Sequence, residues 1–328
     1  MQKNRRNWKG LLKLLGPIIF VFILLRVIDL QTAWALVRGI NLKIALISLL
    51  FFPVLNTLLA LRWWVICRRL ELNASFKTLF QVNYISWFLS AIPMVGISAI
   101  SKFAYLTEEG KPAGLIAISI TLDKLFNIIG PIFFGLFAFV YFPGSLLKYM
   151  HLWVFYGGLI VIALAVALFW KKIWQTLKKL LSRFTSKRLH QIGRNIETKL
   201  AKFWSNFDIT FFALILVVSI VIGLLRSLVL FLLAISLNLS VSFGFIIACR
   251  ALIGVTNIIP ISISGLGTRD AVLLLTLPLA GVTKEAAIAL GFLAFLWTIF
   301  YKFSGVIFWL KRPLPSDSIL AIKEKLRS

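Results

Sequence analysis

DITFFALILVVSIVIGLLRSLVLFLLAISL, residues 208–237, carries one charge after its opening Asp208, namely Arg226. Its apolar residues do not alternate with polar ones, as they would in a half-buried strand, and cover every face of a 3.6-residue turn. A bilayer's hydrocarbon core calls for about 20 such residues in helical form. In lipid the backbone must satisfy its own hydrogen bonds, which leaves only helices and closed barrels. A run this long without alternation selects the helix.

Similar runs lie to either side, at about 11–30, 43–67, 113–141, 152–170 and 284–310. Two further regions, about 76–110 and 241–281, are apolar but broken, the first at Pro93 and Gly96, the second from Pro260 to Gly267. The 328 residues are 60% hydrophobic and 14% charged, with mean hydropathy +0.95. A soluble domain keeps roughly a quarter of its residues charged, so polar surface is too scarce here to coat a globule. The expected fold is all-α, a polytopic transmembrane helical bundle.

The net charge of +25 is not spread evenly. It gathers before the first span (Lys3, Arg5, Arg6, Lys9, Lys13), at Arg68 and Arg69, in 171–206, and in the tail from Lys311 to Arg327. Basic loops between apolar spans follow the positive-inside rule and suit anionic lipid headgroups; no folded nucleic-acid reader accompanies them, so nucleic acid is not an expected partner. The N-terminus resembles a signal peptide, with Ala33-Trp34-Ala35 as a small-residue site, but an uncleaved first span is expected. Cys67 and Cys249 lie in apolar stretches and read as small buried hydrophobes. His151 and His190 stand alone, so neither a metal site nor a cofactor is expected.

Charge also sets the expected topology: a multi-pass protein of the cell inner (plasma) membrane with both termini cytoplasmic. The whole chain, 1–328, then forms one integral membrane domain. Its first half covers 11–170, with repeat 1 at about 43–141; a basic cytoplasmic linker covers 171–206, repeat 2 covers 207–312, and a basic tail covers 313–328. The linker reads either as an amphipathic helix on the inner leaflet or as a solvated connector. Under this topology the first broken region enters and leaves on the cytoplasmic side and the second on the outer side. That is the pattern of two inverted repeats, each containing a broken or re-entrant helical hairpin. At an offset of 171 residues Gly96 falls on Gly267, Gly110 on Gly281, and Leu106, Leu122 and Leu125 on leucines; the glycine matches carry the weight.

Charged residues inside spans are costly, about 2.5–3.5 kcal/mol each on insertion scales, so each asks for a reason. The strongest candidate is the second break. Pro260, Gly265 and Gly267 interrupt the helix, and Ser264 or Thr268 is expected to cap a new one beginning near Arg269. A helix start presents free N–H groups to an anion, and Arg269 adds a fork matched to phosphate. The alternative is an Arg269–Asp270 pair that pins the hairpin. Adjacent helical residues do not face each other, so Asp270 is expected to find a cation elsewhere. Arg250, Arg226 and Lys124 would complete a positive interior. Asp123 and Asn127 share a helix face and should make a polar contact within the bundle. Arg62 lies nearer the cytoplasmic edge and Lys102 follows the first break; either could snorkel to the surface or touch substrate. No catalytic motif and no dense carboxylate cluster is present, so no catalytic residue is assigned and a transporter is expected rather than an enzyme.

The run from Asn257 to Asp270, with Pro260, Gly265, Gly267 and Arg269, resembles the Pro–Ser–Gly–Leu–Gly–Arg–Glu segment of the lysylphosphatidylglycerol-synthase transmembrane, or flippase-like domain, family. Asp270 stands where that family usually has Glu. Asn56 with Leu61-Arg62-Trp63, and Asp123-Lys124-Leu125-Phe126-Asn127, are weaker matches. The first hairpin retains only Gly96 and Lys102 of the family's Gly–Glu–x–x–Arg segment. The resemblance implies a bundle with two re-entrant repeats that moves lipids or lipid-linked precursors between leaflets. It covers only the membrane part, so aminoacyl transfer by a following soluble domain is not expected. The expected function is a flippase-like protein moving an anionic phospholipid or a polyprenyl-phosphate-linked precursor. The alternative is an integral-membrane glycosyl- or aminoacyl-transferase, or its accessory subunit, in cell-envelope lipid synthesis. Expected partners are membrane lipids, an anionic lipid or lipid-linked glycan; envelope-biosynthesis enzymes and self-association as a homo-oligomer are compatible with either reading.

Overall fold

A computed structural model describes residues 35–91, 96–141, 209–256 and 267–313, with side chains placed for all but 136–141. The spans expected at 11–30 and 152–170, the basic segment 171–206 and the tail after Pro313 lie outside the described residues.

Every regular element among the described residues is helical: α1 (Leu42–Leu49), α2 (Phe51–Arg69), α3 (Phe76–Leu89), α4 (Ile97–Glu108), α5 (Ala113–Phe126), α6 (Ile129–Tyr141), α7 (Ile209–Ser236), α8 (Phe243–Thr256), α9 (Thr268–Thr276), a 3-10 turn (Leu277–Ala280), α10 (Lys284–Phe303) and α11 (Val306–Lys311). Among the described residues, four stretches are long and apolar enough to cross a membrane: Leu42–Arg69, Ala113–Gly135, Ile209–Ser236 and Lys284–Lys311. Leu50, Ile209, Phe300 and Leu310 are each more than 60% exposed on them. Large side chains left outside in this number suit surrounding lipid rather than water.

Helix boundaries follow local chemistry. The Asn41 and Ser75 side chains accept from Ile44 N and Thr78 N, and Thr283 accepts from Ala286 N, so α1, α3 and α10 begin on side-chain caps. The run expected as one span at 113–141 is interrupted at Asn127–Ile128. Pro131 has no N–H to return to the Asn127 carbonyl, so the helix loses a rung there. The same device, Pro53, accompanies the turn at Leu50 between α1 and α2.

The two broken regions are helical hairpins, α3–α4 and α8–α9. Thr78 Oγ1 donates to Glu109 Oε1 at 3.2 Å, so the first hairpin starts and returns at one end of the bundle. Arg312 meets Glu108 and Glu109 at that end, at 3.4 and 3.1 Å. Asn41 N donates to Ser236 O at the other end. The second hairpin follows Ser236 there and returns to Lys284, from which α10 and α11 run back to Arg312. That stretch is 28 residues long, about 42 Å of helix. The hairpins therefore open toward opposite ends.

Their dimensions also correspond. The first limbs, α3 and α8, each have 14 residues, and the spans before them each have 28. Gly96 (φ 78°) and Gly267 (φ 90°) precede the second limbs, while Gly110 (φ 72°) and Gly281 (φ 76°) end the returns. A side chain is strained at such angles, which gives these four glycines a shared reason. The buried side chains form two main cores, one around α1, α7, α8, α9 and α10, the other around α2, α3, α4 and α5.

Candidate functional site

A cavity of about 570 Å³ lies where those cores meet, with Leu59 of the first and Ile120 of the second on its wall. Among the described residues its lining carries five cations, Arg62, Lys102, Lys124, Arg226 and Arg250, and a single carboxylate, Asp123. Asn127 lies between them. These seven side chains come from α2, α4, α5, α7, α8 and the interruption after α5, so six parts of the chain converge on one space. Asp123 stands midway along Ala113–Gly135, about 15 Å of helix from its start.

Arg62 is the most constrained of the cations, at 1% exposure. Its Nε and Nη2 donate to Asp123 Oδ1 at 3.1 and 2.9 Å, and Nη2 also reaches Asn127 Oδ1 at 3.4 Å. Its Nη1 donates to Ser219 Oγ at 3.4 Å. Of the two alternatives open for Arg62, snorkelling to the surface is not the one adopted: a carboxylate at the same depth outcompetes the distant interface. Lys102 likewise turns inward. Its Nζ lies 3.6 Å from Asp123 Oδ2 and 4.2 Å from the Trp63 ring centre, while Trp63 Nε1 is held by Ser119 Oγ at 3.2 Å. The expected polar contact at Asp123 and Asn127 takes the form of two acceptors for one guanidinium.

Arg226 donates from Nη1 to Asn127 Oδ1 at 3.3 Å. Arg250 and Lys124 have no ion pair or side-chain hydrogen bond among the described residues. Asn127 faces the cavity because the Pro131 interruption falls beside it. Gly223 and Gly254, also on the lining, lie against Phe134 and Pro131 of α6, whose side chains occupy the space a Cβ would need.

The second break is built differently from the expectation. α9 starts at Thr268, and its N-cap is Gly267 rather than Ser264 or Thr268. Asp270 Oδ2 accepts from Gly267 N at 2.9 Å, so the carboxylate of the first turn does the capping. Arg269 pairs directly with Asp270, with Nε and Nη2 at 3.2 and 3.0 Å from Oδ1, and Nη2 donates to Gly291 O at 2.9 Å. The expectation that Asp270 pairs elsewhere is therefore corrected. Neighbours on a regular helix point apart, but here the carboxylate bends back over the helix start and the long Arg side chain folds onto it. Gly291 makes the room, since a Cβ there would collide with Asp270 Oδ1. Arg269 and Asp270 are 5% and 1% exposed and do not line the cavity. Ser264 and Gly265 lie outside the described residues.

Sequence reasoning passed over Asn83, Trp87 and Ser227, which also line the cavity. Asn83 Nδ2 donates to Asn56 Oδ1 at 2.9 Å, both side chains buried. An amide inside the apolar run 79–89 was the available signal.

A helical multi-pass membrane protein with a cationic chamber among its spans is the class these features define. Residues 11–304 match the lysylphosphatidylglycerol synthase TM region family, and the chain belongs to it. It is 24% identical over 303 residues to the UPF0104 membrane protein MJ1595 of Methanocaldococcus jannaschii, covering 87% of this chain and 89% of that relative.

Proposed function

We propose that the protein moves an anionic lipid, a phospholipid or a polyprenyl-phosphate-linked precursor, between leaflets, with the phosphate held in the cavity and the hydrocarbon left in the bilayer. The observation that carries this is the lining of five cations against one carboxylate, in a space bordered by membrane-length apolar helices. Charges at that depth are unfavourable without a partner, and a phosphate supplies one. Arg226 and Arg250 offer planar forks suited to its oxygens. Arg269 is engaged with Asp270 and Gly291, so its role here is to hold the second hairpin.

The two halves act as an inverted-topology repeat that rocks around the cavity. Hairpins opening toward opposite ends and the matched helix lengths support this reading. The end bearing Arg68, Arg69, Lys111 and Arg312 is the cytoplasmic one, in keeping with the positive-inside rule.

Leaflet-resolved transport of a fluorescent anionic lipid in proteoliposomes tests the proposal. Losing one charge-assisted contact, worth about 1.5–3 kcal/mol, predicts a rate at least about ten-fold lower for Arg226→Ala or Arg250→Ala. Wild-type rates in both variants, with folding checked by size-exclusion profile, would remove the phosphate from this cavity.

A further inference from the structure

The distribution of charge within the cavity bears on how much charge the ligand brings. Asp123 is shared by Arg62 and Lys102, at 2.9 and 3.6 Å. Arg62 is a buried part of the wall with its donors on Asp123, Asn127 and Ser219. Lys124, Arg226 and Arg250 remain, with no carboxylate in ion-pair reach among the described residues. Among the described residues, three cations thus face a common space with only the Asn127 carbonyl oxygen on one of them, and like charges in a low-dielectric setting repel strongly.

A ligand with one negative charge leaves most of that repulsion in place. A zwitterionic headgroup removes little of it, and an aminoacylated headgroup with a net positive charge adds to it. We propose, resting on the functional reading above, that the cavity selects a lipid headgroup bearing at least two phosphate negative charges close together, and rejects aminoacylated phospholipids. The shared chemistry is a pair of neighbouring phosphates. It is found both in a polyprenyl diphosphate and in a lipid whose two phosphodiesters share one glycerol. Two arginine forks and one lysine point charge match such a pair, since each fork can take one phosphate bidentately. The volume of about 570 Å³ lies within the usual range for small-molecule pockets.

Competition binding on the purified full-length chain in nanodiscs tests this, with a fluorescent singly charged phosphatidylglycerol as reporter. The competitors are unlabelled phosphatidylglycerol, lysyl-phosphatidylglycerol, a bis-phosphodiester lipid and a polyprenyl diphosphate. At least one doubly charged competitor should displace the reporter at about ten-fold lower concentration than phosphatidylglycerol, and the lysylated lipid should not displace it. Whichever doubly charged lipid wins identifies the source. Arg250→Lys, which keeps the charge but loses the fork, should weaken displacement by the doubly charged lipids more than displacement by phosphatidylglycerol. Equal competition by singly and doubly charged lipids, or displacement by the lysylated lipid, overturns the charge selection and leaves the broader reading standing. Failure of the reporter to bind, together with failure of every anionic competitor in direct binding, overturns both.

Discussion

Asp123 decides how Arg62, 61 positions earlier, can exist where it does. An arginine at 1% exposure is tolerated because two of its nitrogens rest on one carboxylate oxygen. Removing one partner of a buried pair strands the other, at a cost of about 3–5 kcal/mol, whereas replacing both with apolar groups is often neutral. Asp123→Asn is therefore expected to lower the thermal midpoint in detergent sharply, and Arg62→Met with Asp123→Asn to recover more than half of the loss. Lys102 keeps the Trp63 ring in the double variant, which is why recovery is expected to be large. A double variant no more stable than Asp123→Asn alone would mean that the pair is not what holds this region. Asp123 is legible in the sequence as an embedded charge, because a charge in an apolar run is a local signal, whereas Arg62 and Lys102 read equally well as snorkelling to the surface. Their pairing was not legible. Partner choice depends on which helices lie side by side, and nothing within a few residues of Arg62 names α5. The Arg269–Asp270 pair misled for the opposite reason: a rule for regular helices was applied at a helix start, where side chains bend back toward the free N–H groups.

At the scale of elements, the spans and breaks were readable because length, proline and glycine act locally. The unforeseen details arise from contacts between elements, as at Asn127, where a proline interruption in one span turns a side chain toward a cavity formed with five other segments. The end of the bundle near Arg312 offers a simple case of such contacts. Arg312 joins Glu108 and Glu109 and lies over Tyr105, whose hydroxyl donates to Arg312 O at 2.6 Å. This ties α11 to the return of the first hairpin. The side chains are 32%, 43% and 25% exposed, so solvent and salt screen the pairs, and exposed ion pairs contribute about 0–1 kcal/mol each. Arg312→Ala, which removes both pairs, should therefore reduce stability by no more than about 2 kcal/mol at low salt, shrinking further as ionic strength rises. The backbone acceptor for Tyr105 survives the substitution. A loss several times larger, insensitive to salt, would show that this contact holds the hairpin in place rather than trimming its edge.

For the whole molecule, the arrangement that matters is two hairpins reaching toward one chamber from opposite ends. Under the transport proposed above, two hairpins entering from opposite ends would let each close one side of the chamber while the other withdraws. This geometry makes a prediction that depends on no ligand. Asn73 is exposed just before the first hairpin, and Ser240 is exposed just before the second. The native thiols of Cys67 and Cys249 are buried, so neither should react in the folded protein. Single replacements Asn73→Cys and Ser240→Cys, treated with a membrane-impermeant maleimide, should label from opposite faces of the membrane. Asn73→Cys is expected to require permeabilised cells, because it lies at the end with Arg68, Arg69 and Arg312, and Ser240→Cys should label in intact ones. Both sites reacting from one face would mean that the hairpins do not oppose each other, and the chamber would then need a different route to its second side.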